Sequence, residues 1–402
     1  LFLERALKTV SASGEIGLVL PRQFSVLSGW KNLRKEILDR HDVLVVQARN
    51  KAEWLFEKVE PRYAVVLLNA SKIQGDPIRV GVVQSAKDLR AIGDNSVLAF
   101  TRDELTSMSD SKAIPWFNNP GDREVFDKMR KYPRISRPGS WAQGVHDARW
   151  DFRGSGPDRG LASRIDEPGA WKVMMTRHAD AYELRPAAIK QFITDFDGIA
   201  NKDRGINTNS NRCATISADH PVVLFRHPSR SDDTRTLIAT ALPNEGWIYN
   251  KGYVHAFAHL PGTSEDVRLA VLGLFNSVVE DWWARRFVDR HVTAPVINNL
   301  PVPNLSPSDI AAISSRVAVL LTHSGFTRLA GDIDVAERAQ KSPYNGCTKN
   351  DLIAGIDAVV AHGYGLTLTD FSAIREDFTS KGYPDDIFLA ARAKLTESAV
   401  AV

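Results

Sequence analysis

The chain has 402 residues, 43% of them hydrophobic and 25% charged, a composition ordinary for a soluble globular protein of two or three packed domains. This composition excludes collagen and wholesale disorder, and no stretch reaches the roughly eighteen apolar residues of a membrane helix. Two cysteines, Cys213 and Cys347, cannot form a disulfide framework or a paired metal motif. We therefore expect a cytoplasmic protein without a structural zinc site.

The net charge of +3 is distributed unevenly along the chain. Residues 122–236 carry a net charge of +4, whereas residues 237–402 carry −4. Such a basic excess is compatible with nucleic-acid binding but does not require it, because a solvated surface shows similar values.

Predicted helices and strands alternate in the first part of the chain. The opening LFLER lacks an initiator Met and is typical of a helix interior, so we expect the chain to be the latter part of a longer protein. Strands are predicted at 14–21, 42–48 and 62–70, with an amphipathic helix over 30–40. The last two strands are rich in Val and Leu, as strands buried on both faces are. This pattern is typical of the terminal part of a doubly wound α/β sheet, with about three strands.

The middle of the chain changes character. Residues 121–211 are rich in Arg, Gly, Pro and aromatic residues and show no periodicity, which predicts long loops around short strands. Apolar strands return in HPVVLFRH and RTLIATALP. A long helix is then predicted from Ser264 to Val288, with Thr263 and Asp266 as a capping box.

The tail is predicted to be helical. One helix start is predicted at Ser306-Pro307-Ser308-Asp309, where a cap residue precedes Pro and an acidic residue follows. Another helix is predicted between Thr348 and Gly363.

The sequence lacks the common catalytic signatures. It contains no G-x-x-x-x-G-K-[ST], no G-x-S-x-G, no H-E-x-x-H and no paired C-x-x-C. Two partial matches to Asn-Pro-Pro-Tyr, NNPGD and SPYNG, are interpreted as turns.

Four phrases occur in a particular order: LVLPRQFSVLSGWKNLRKEIL (18–38), WLFEKVEPRYAVVLL (54–68), RTLIATALP (235–243) and VINNLPVPNL (296–305). With the tail at 352–378, they resemble the C-terminal two-thirds of gamma-class N6-adenine DNA methyltransferases of type IIG and related phage-defence restriction-modification systems. The resemblance implies that the first phrase follows the catalytic motif and that the second is the hydrophobic hairpin beside the target base. The third would lie in the target recognition domain, and the fourth would be the Pro-rich exit from its helix.

The departure from this family concerns the catalytic motifs. The family's Gly-rich loop for S-adenosylmethionine, its acidic ribose partner and its Asn-Pro-Pro-Tyr motif are absent from the 402 residues. We therefore expect S-adenosylmethionine to serve the full enzyme, and this chain alone neither to bind it nor to transfer a methyl group.

Phe56 occupies the position that resembles the family's adenine-stacking aromatic. Adenine must leave the base stack to be methylated, and an extruded base is held by an aromatic face. The alternative is a core Phe before a strand, and Trp54 is a second candidate for the stacking role.

Residues 201–217 and 225–236 contain several Arg, Asn and Thr side chains, which are types that contact DNA bases and phosphates. Plain turns and solvated arginines are the alternatives. Together with two weaker candidates from the Gly-rich loop, the predicted DNA-binding residues are Trp150, Arg153, Arg204, Asn207, Asn209, Asn211, Arg212, Arg226, Arg230, Arg235 and Thr236.

These observations predict three parts: the end of a Rossmann-like methyltransferase domain (1–115), an α+β target recognition domain (116–303) and a helical C-terminal region (304–402). The expected partners are double-stranded DNA and either an N-terminal catalytic half or partner defence subunits. A non-catalytic DNA-binding specificity or scaffold subunit remains the alternative. An unrelated α/β enzyme would need a compact acidic or histidine cleft, which the sequence does not indicate.

Overall fold

The computed structural model of the protein describes residues 2–50, 53–60, 64–72, 77–93, 97–119, 121–142, 146–147, 162–163, 171–185, 192–193, 222–244, 247–249, 253–260 and 262–400. The chain divides into two compact units. Unit 1 comprises Leu1–Arg130 and Arg285–Asp289, and unit 2 comprises Lys131–Ala284 and Arg290–Val402. The three predicted parts, with boundaries at 115 and 303, remain a prediction.

Unit 1 is an α/β unit built on one five-stranded sheet. Its strands are β1 (Glu15–Pro21), β2 (Asp42–Arg49), β3 (Ala64–Ser71), β4 (Ile78–Val83) and β5 (Val97–Phe100). Its helices are α1 (Phe2–Thr9), α2 (Gln23–Val26), α3 (Lys31–Arg40), α4 (Ala86–Arg90), α5 (Arg102–Met108) and α6 (Asp122–Met129), with a 3-10 helix at Ser28–Trp30.

The three predicted strands of unit 1 are present, but the sheet differs from the expected one. The strand order is β1-β3-β2-β4-β5, in which β3 runs antiparallel to both β1 and β2. Strand β2 pairs in parallel with β4, and β4 pairs antiparallel with β5. A run of buried Val and Leu has the same pattern in either strand direction, so the sequence did not reveal the antiparallel pairs or the two further strands.

Unit 2 combines short strands with packed helices. Its strands are β6 (His146–Asp147), β7 (Ala162–Ser163), β8 (Trp171–Met174), β9 (Ala179–Asp180), β10 (Glu183–Leu184), β11 (Phe192–Ile193), β12 (Val222–Arg226), β13 (Ala239–Ala241), β14 (Trp247–Tyr249), β15 (Val254–Ala258), β16 (Arg328–Leu329) and β17 (Ile333–Asp334). Its helices are α7 (Glu265–Asn276), α8 (Val278–Arg285), α9 (Ala294–Asn298), α10 (Pro307–His323), α11 (Val335–Lys341), α12 (Lys349–Gly363), α13 (Leu368–Glu376) and α14 (Asp385–Val400).

The core of unit 2 lies between an antiparallel sheet and the helices. The sheet has the order β13-β12-β15-β6, and Phe225 of β12 packs on Phe275 of α7 with ring centroids 4.8 Å apart. Helix α7 also lies against α10, where a Cβ atom at Gly273 would come within 2.5 Å of Ile313. A glycine is therefore needed for this close approach. No helix in the described ranges is long and apolar enough to cross a membrane.

The helix boundaries test the capping predictions. The predicted start of α10 at Ser306 is confirmed, and Ser306 and Asp309 form a capping box there; α12 ends at the predicted Gly363. The long helix predicted from Ser264 to Val288 is instead two helices, because Ser277 is extended and caps Val279. Its cap is Ser264, whose side chain accepts a hydrogen bond from the Val267 amide, and not the predicted Thr263.

Candidate nucleic-acid interface

The loop after β2 in unit 1 is held by one buried asparagine. The Asn50 side chain is fully buried, and its Oδ1 accepts hydrogen bonds from the amides of Leu55 (3.1 Å) and Phe56 (2.9 Å). Its Nδ2 donates to the carbonyls of Phe56 (2.9 Å) and Val59 (3.1 Å). The Asn50 side-chain amide thus makes all four of its ordinary hydrogen bonds with backbone groups of this loop. We call residues 53–60 the Asn50 loop.

The Asn50 loop separates the two aromatic candidates. Trp54 packs against the core cluster of Val46, Ala48 and Val83, and its Nε1 donates to the Arg49 carbonyl at 2.7 Å. Phe56 is half-buried and lies outside that cluster as far as the described residues show. The structure therefore gives Trp54 a packing role, and both aromatic residues are half-buried.

Two backbone positions in the same loop adopt left-handed conformations. Glu53 has φ 57° and Lys58 has φ 60°, and the Glu53 carboxylate accepts a hydrogen bond from the Lys58 amide at 3.0 Å. Such conformations cost about 1–3 kcal/mol each for non-glycine residues and persist where surrounding bonds impose them. The loop is therefore a defined conformation and not a simple connection.

In unit 2, Thr236 is fully buried and Arg235 is half-buried, and their role as DNA contacts stays a prediction. Arg235 Nε lies 2.5 Å from Asp281 Oδ2, and its Nη2 donates to the Asn276 carbonyl at 2.6 Å. Burial alone would lower the pKa of the Arg235 guanidinium, but the Asp281 carboxylate more than offsets this, so the pKa is raised. Thr236 is fully buried, and its hydroxyl donates to the Arg230 carbonyl at 2.6 Å. Both residues hold the loop in place.

Arg226 and Arg230 remain candidates for phosphate contact. Both are half-buried, and the Arg230 amide donates to Asp233 Oδ2 at 2.8 Å, which closes the turn. Neither guanidinium forms an ion pair with a carboxylate within the described parts of the chain. Their charges are therefore available to an anionic partner.

The other predicted DNA-binding residues lie outside the described residues. They are Trp150, Arg153, Arg204, Asn207, Asn209, Asn211 and Arg212.

Sequence reasoning missed three histidines of unit 2 that stack on one another. The His227 ring lies 4.0 Å from the His255 ring and 4.6 Å from the His291 ring, measured between centroids. We call these three residues the histidine column. Their sequence spacing shows no motif. The pairing of Phe225 with His255 and the bridge between Pro228 and His291 bring the segments together. Among the described residues, no group of histidine, cysteine or acidic side chains could hold a metal ion.

Comparisons with known proteins place the chain beside several solved structures. No protein-family model matches the chain, and no curated protein matches it. It is similar to the type IIL restriction-modification enzyme MmeI in complex with DNA, at 12% identity and TM-score 0.48, over 98% of this chain and 51% of that one. The type IIG restriction endonuclease BpuSI gives 12% identity and TM-score 0.36, over 98% and 49% of the two chains.

A third similar structure is a nuclease-deletion mutant of the type ISP restriction-modification enzyme LlaGI in complex with a DNA substrate mimic. It gives 11% identity and TM-score 0.41, over 81% of this chain and 36% of that one. The chain thus spans about half the length of the first two structures, 51% and 49%, and 36% of the third. At these identities no residue role transfers from one protein to the other.

Proposed function

We propose that this chain supplies DNA target recognition and part of the adenine pocket of a site-specific DNA adenine-N6 methyltransferase in a restriction-modification or phage-defence system. The complete enzyme would methylate N6 of an adenine extruded from duplex DNA, with S-adenosylmethionine as donor. Without an N-terminal catalytic half, the chain would be inactive. Two of the similar solved proteins are described as restriction-modification enzymes and one as a restriction endonuclease, but the proposal depends on this chain's own residues.

The observation that carries the proposal is the position of Phe56 in the Asn50 loop. Trp54 packs against a core cluster, and Phe56, which is half-buried like Trp54, lies beyond the end of β2, in the hairpin that resembles the one beside the target base. Four hydrogen bonds from one buried amide hold the backbone on both sides of this ring. A ring held in advance loses little entropy when a base stacks on it.

The chemistry assigned to this chain is binding and not group transfer. Stacking of a base on an aromatic ring contributes about 1–3 kcal/mol and offsets part of the cost of extruding the base. The sequence lacks the Gly-rich loop and the Asn-Pro-Pro-Tyr motif, so the residues of this chain do not fit the methyl donor. The chain's own groups would stack the base and contact phosphates.

The test uses the complete protein in a host that lacks adenine methylation. We expect N6-methyladenine at a defined site in the host DNA. Phe56→Ala should lower methylation at least about tenfold, since a stacking contribution of 1.4 kcal/mol corresponds to a factor of ten, while duplex affinity changes little. Phe56→Tyr should restore methylation and Phe56→Leu should not, because Leu keeps the apolar bulk but has no ring.

Equal losses of methylation and of folded protein in Phe56→Ala would contradict the stacking role and favour core packing. Full activity of Phe56→Leu would contradict it as well.

The alternative is a non-catalytic DNA-binding specificity or scaffold subunit of a defence complex. The missing catalytic motifs favour it. It predicts duplex binding by the complete protein without any N6-methyladenine in the host DNA, so the same experiment separates the two functions.

A further inference from the structure

The histidine column continues the helix-facing side of the antiparallel sheet in unit 2. Phe225 pairs with His255 across β12 and β15, and His227 follows Phe225 by two residues, so these side chains share one face. The apolar part of that face packs on α7 through Phe225 and Phe275. Towards the end of β12 the aromatic rings change from phenylalanine to histidine. His227 and His255 are half-buried and His291 is exposed, so the column leads from the core edge to the surface.

The backbone holds the three rings in place. The His227 amide donates to the Tyr253 carbonyl at 3.1 Å, and the Val292 amide donates to the His227 carbonyl at 3.1 Å. Pro228 and His291 form an isolated antiparallel bridge. Backbone hydrogen bonds therefore hold together the three segments that carry the rings. The position of the column is set by the backbone.

The contact of His227 with the backbone defines its tautomer. Its Nδ1 lies 3.2 Å from the carbonyl oxygen of Val292. A carbonyl has no proton to donate, so Nδ1 carries the hydrogen and Nε2 is the nitrogen that gains a proton when the ring becomes charged.

The stacked arrangement favours an anion over a metal ion as ligand. The rings are nearly parallel, with interplanar angles of 24° and 16°, so their nitrogens do not converge on one point. Positive charges on neighbouring rings repel one another at these separations, and an anion beside the column would relieve that repulsion. Protonation of the column and binding of an anion are therefore coupled.

The contributing segments carry three arginines, Arg226, Arg230 and Arg290, and three aspartates, Asp232, Asp233 and Asp289. Arg226 lies one residue before His227, and Arg290 one residue before His291. The turn after β12 contributes Arg230, Asp232 and Asp233, and Asp233 accepts the Arg230 amide.

The remaining ionisable groups near these segments are engaged elsewhere or neutral. Tyr253 precedes β15 and is exposed, and the Asp289 carboxylate accepts a hydrogen bond from Gln23. On helix α8, Asp281 pairs with Arg235, and the neighbouring Glu280 is buried.

We propose that the histidine column is a contact for the backbone phosphates of duplex DNA that takes up protons as the DNA binds. The proposal rests on the DNA-binding function proposed above. It assigns to unit 2 a histidine phosphate site beside the permanently charged Arg226 and Arg230.

The experiment measures binding of the full chain to a labelled duplex of mixed sequence at constant ionic strength. Binding should be about tenfold tighter at about pH 6 than at about pH 8, on either side of the ordinary histidine pKa of about 6.5. The double variant His227→Asn/His291→Asn should show less than about a twofold difference. The single variant His291→Asn, which changes only an exposed side chain, should give an intermediate difference.

The matched control is His323→Asn/His362→Asn, which removes two exposed histidines of α10 and α12 and should keep the tenfold difference. An equal pH dependence in the column variant and the wild type would overturn the proposal. Duplex binding that does not change with pH in the wild type would also overturn it and leave the proposed function intact. Absence of duplex binding at both pH values would contradict both.

Discussion

Two loops with predicted DNA contacts, one in each unit, are held by buried side chains of different charge. In unit 1, the neutral amide of Asn50 holds the Asn50 loop entirely through backbone groups. In unit 2, the cationic Arg235 holds the loop after β12 through the Asp281 carboxylate and the Asn276 carbonyl. A neutral clamp does not respond to pH or salt, whereas an ionic one depends on the charge state of its surroundings.

The surroundings of Arg235 are rich in buried ionisable groups. Burial raises the pKa of Asp357, and it raises the pKa of Glu280 to about 8. The Tyr364 hydroxyl contacts both a Glu280 carboxyl oxygen and the Pro301 carbonyl, the latter at 2.7 Å. One hydroxyl proton cannot serve two acceptors, so the Glu280 carboxyl is the protonated partner. Unit 2 therefore contains buried carboxyl groups whose pKa lies above its ordinary value.

The largest expected loss of stability from a single substitution comes from breaking the ionic clamp. Asp281→Asn leaves Arg235 without its carboxylate and should lower the free energy of unfolding by about 3 kcal/mol, the low end for buried pairs because 18% of the Arg235 side chain is exposed. Glu337→Gln, in the exposed Lys341–Glu337 pair, is the control and should cost less than about 1 kcal/mol. Urea unfolding of both variants measures the difference, and equal costs would contradict the interpretation of Arg235 as a clamp.

The next effect concerns the pH dependence of stability. The pKa of Glu280 is about 8 in the folded protein and 4.5 in its unperturbed state, so unfolding releases a proton between these values. The free energy of unfolding should therefore fall by about 1.4 kcal/mol per pH unit as the pH rises from about 4.5 towards 8, through this group alone.

Glu280→Gln keeps a neutral polar group and should flatten this part of the stability profile. Wild type and variant should be most alike near pH 5, and the variant should be the more stable protein near pH 8. Parallel profiles for the two proteins would show that Glu280 is not the titrating group.

A smaller effect is expected from the neutral clamp. Asn50→Ala leaves backbone groups of Leu55, Phe56 and Val59 without their partner and should lower the free energy of unfolding by about 2 kcal/mol. This loss should not change with salt concentration. Asn69→Ala, on β3 of the same hairpin with an exposed side chain, should be near neutral. An Asn50→Ala variant as stable as Asn69→Ala would show that the loop does not need its clamp.

The smallest effect concerns the salt dependence of DNA binding. Each arginine that contacts a phosphate adds about 0.9 to the slope of log affinity against log salt. The Arg226→Gln/Arg230→Gln variant should therefore lower the slope by about two, and adding changes at Arg204 and Arg212 should lower it further. Arg235 is left unchanged because its guanidinium is paired with Asp281. Arg392→Gln, on the exposed side of α14, is the control, and an unchanged slope in the double variant would contradict phosphate contact by Arg226 and Arg230.

The sequence predicted local features better than long-range ones. The caps at Ser306 and Thr348 and the three strands of the hairpin region follow from patterns a few residues long. Strand β3 lies between β1 and β2 and runs antiparallel to both, and a hydrophobic run does not encode this pairing.

The charge of a residue was the least reliable predictor of its exposure to solvent. Arg34, Arg235 and Arg286 count as basic residues, yet Arg34 and Arg286 are almost fully buried and Arg235 is paired with Asp281. Asp281 follows Arg235 by 46 residues, so no local pattern reveals the pair. The histidine column likewise draws on three segments that only the fold brings together. Phe56 was chosen over Trp54 by resemblance, and this choice stays a prediction.

The most direct test of the central claim is selection of duplexes from a random library by this chain alone. The account predicts salt-sensitive binding and enrichment of one defined motif that contains an adenine. Binding without any enriched motif, or no binding at low salt, would contradict a role in DNA target recognition.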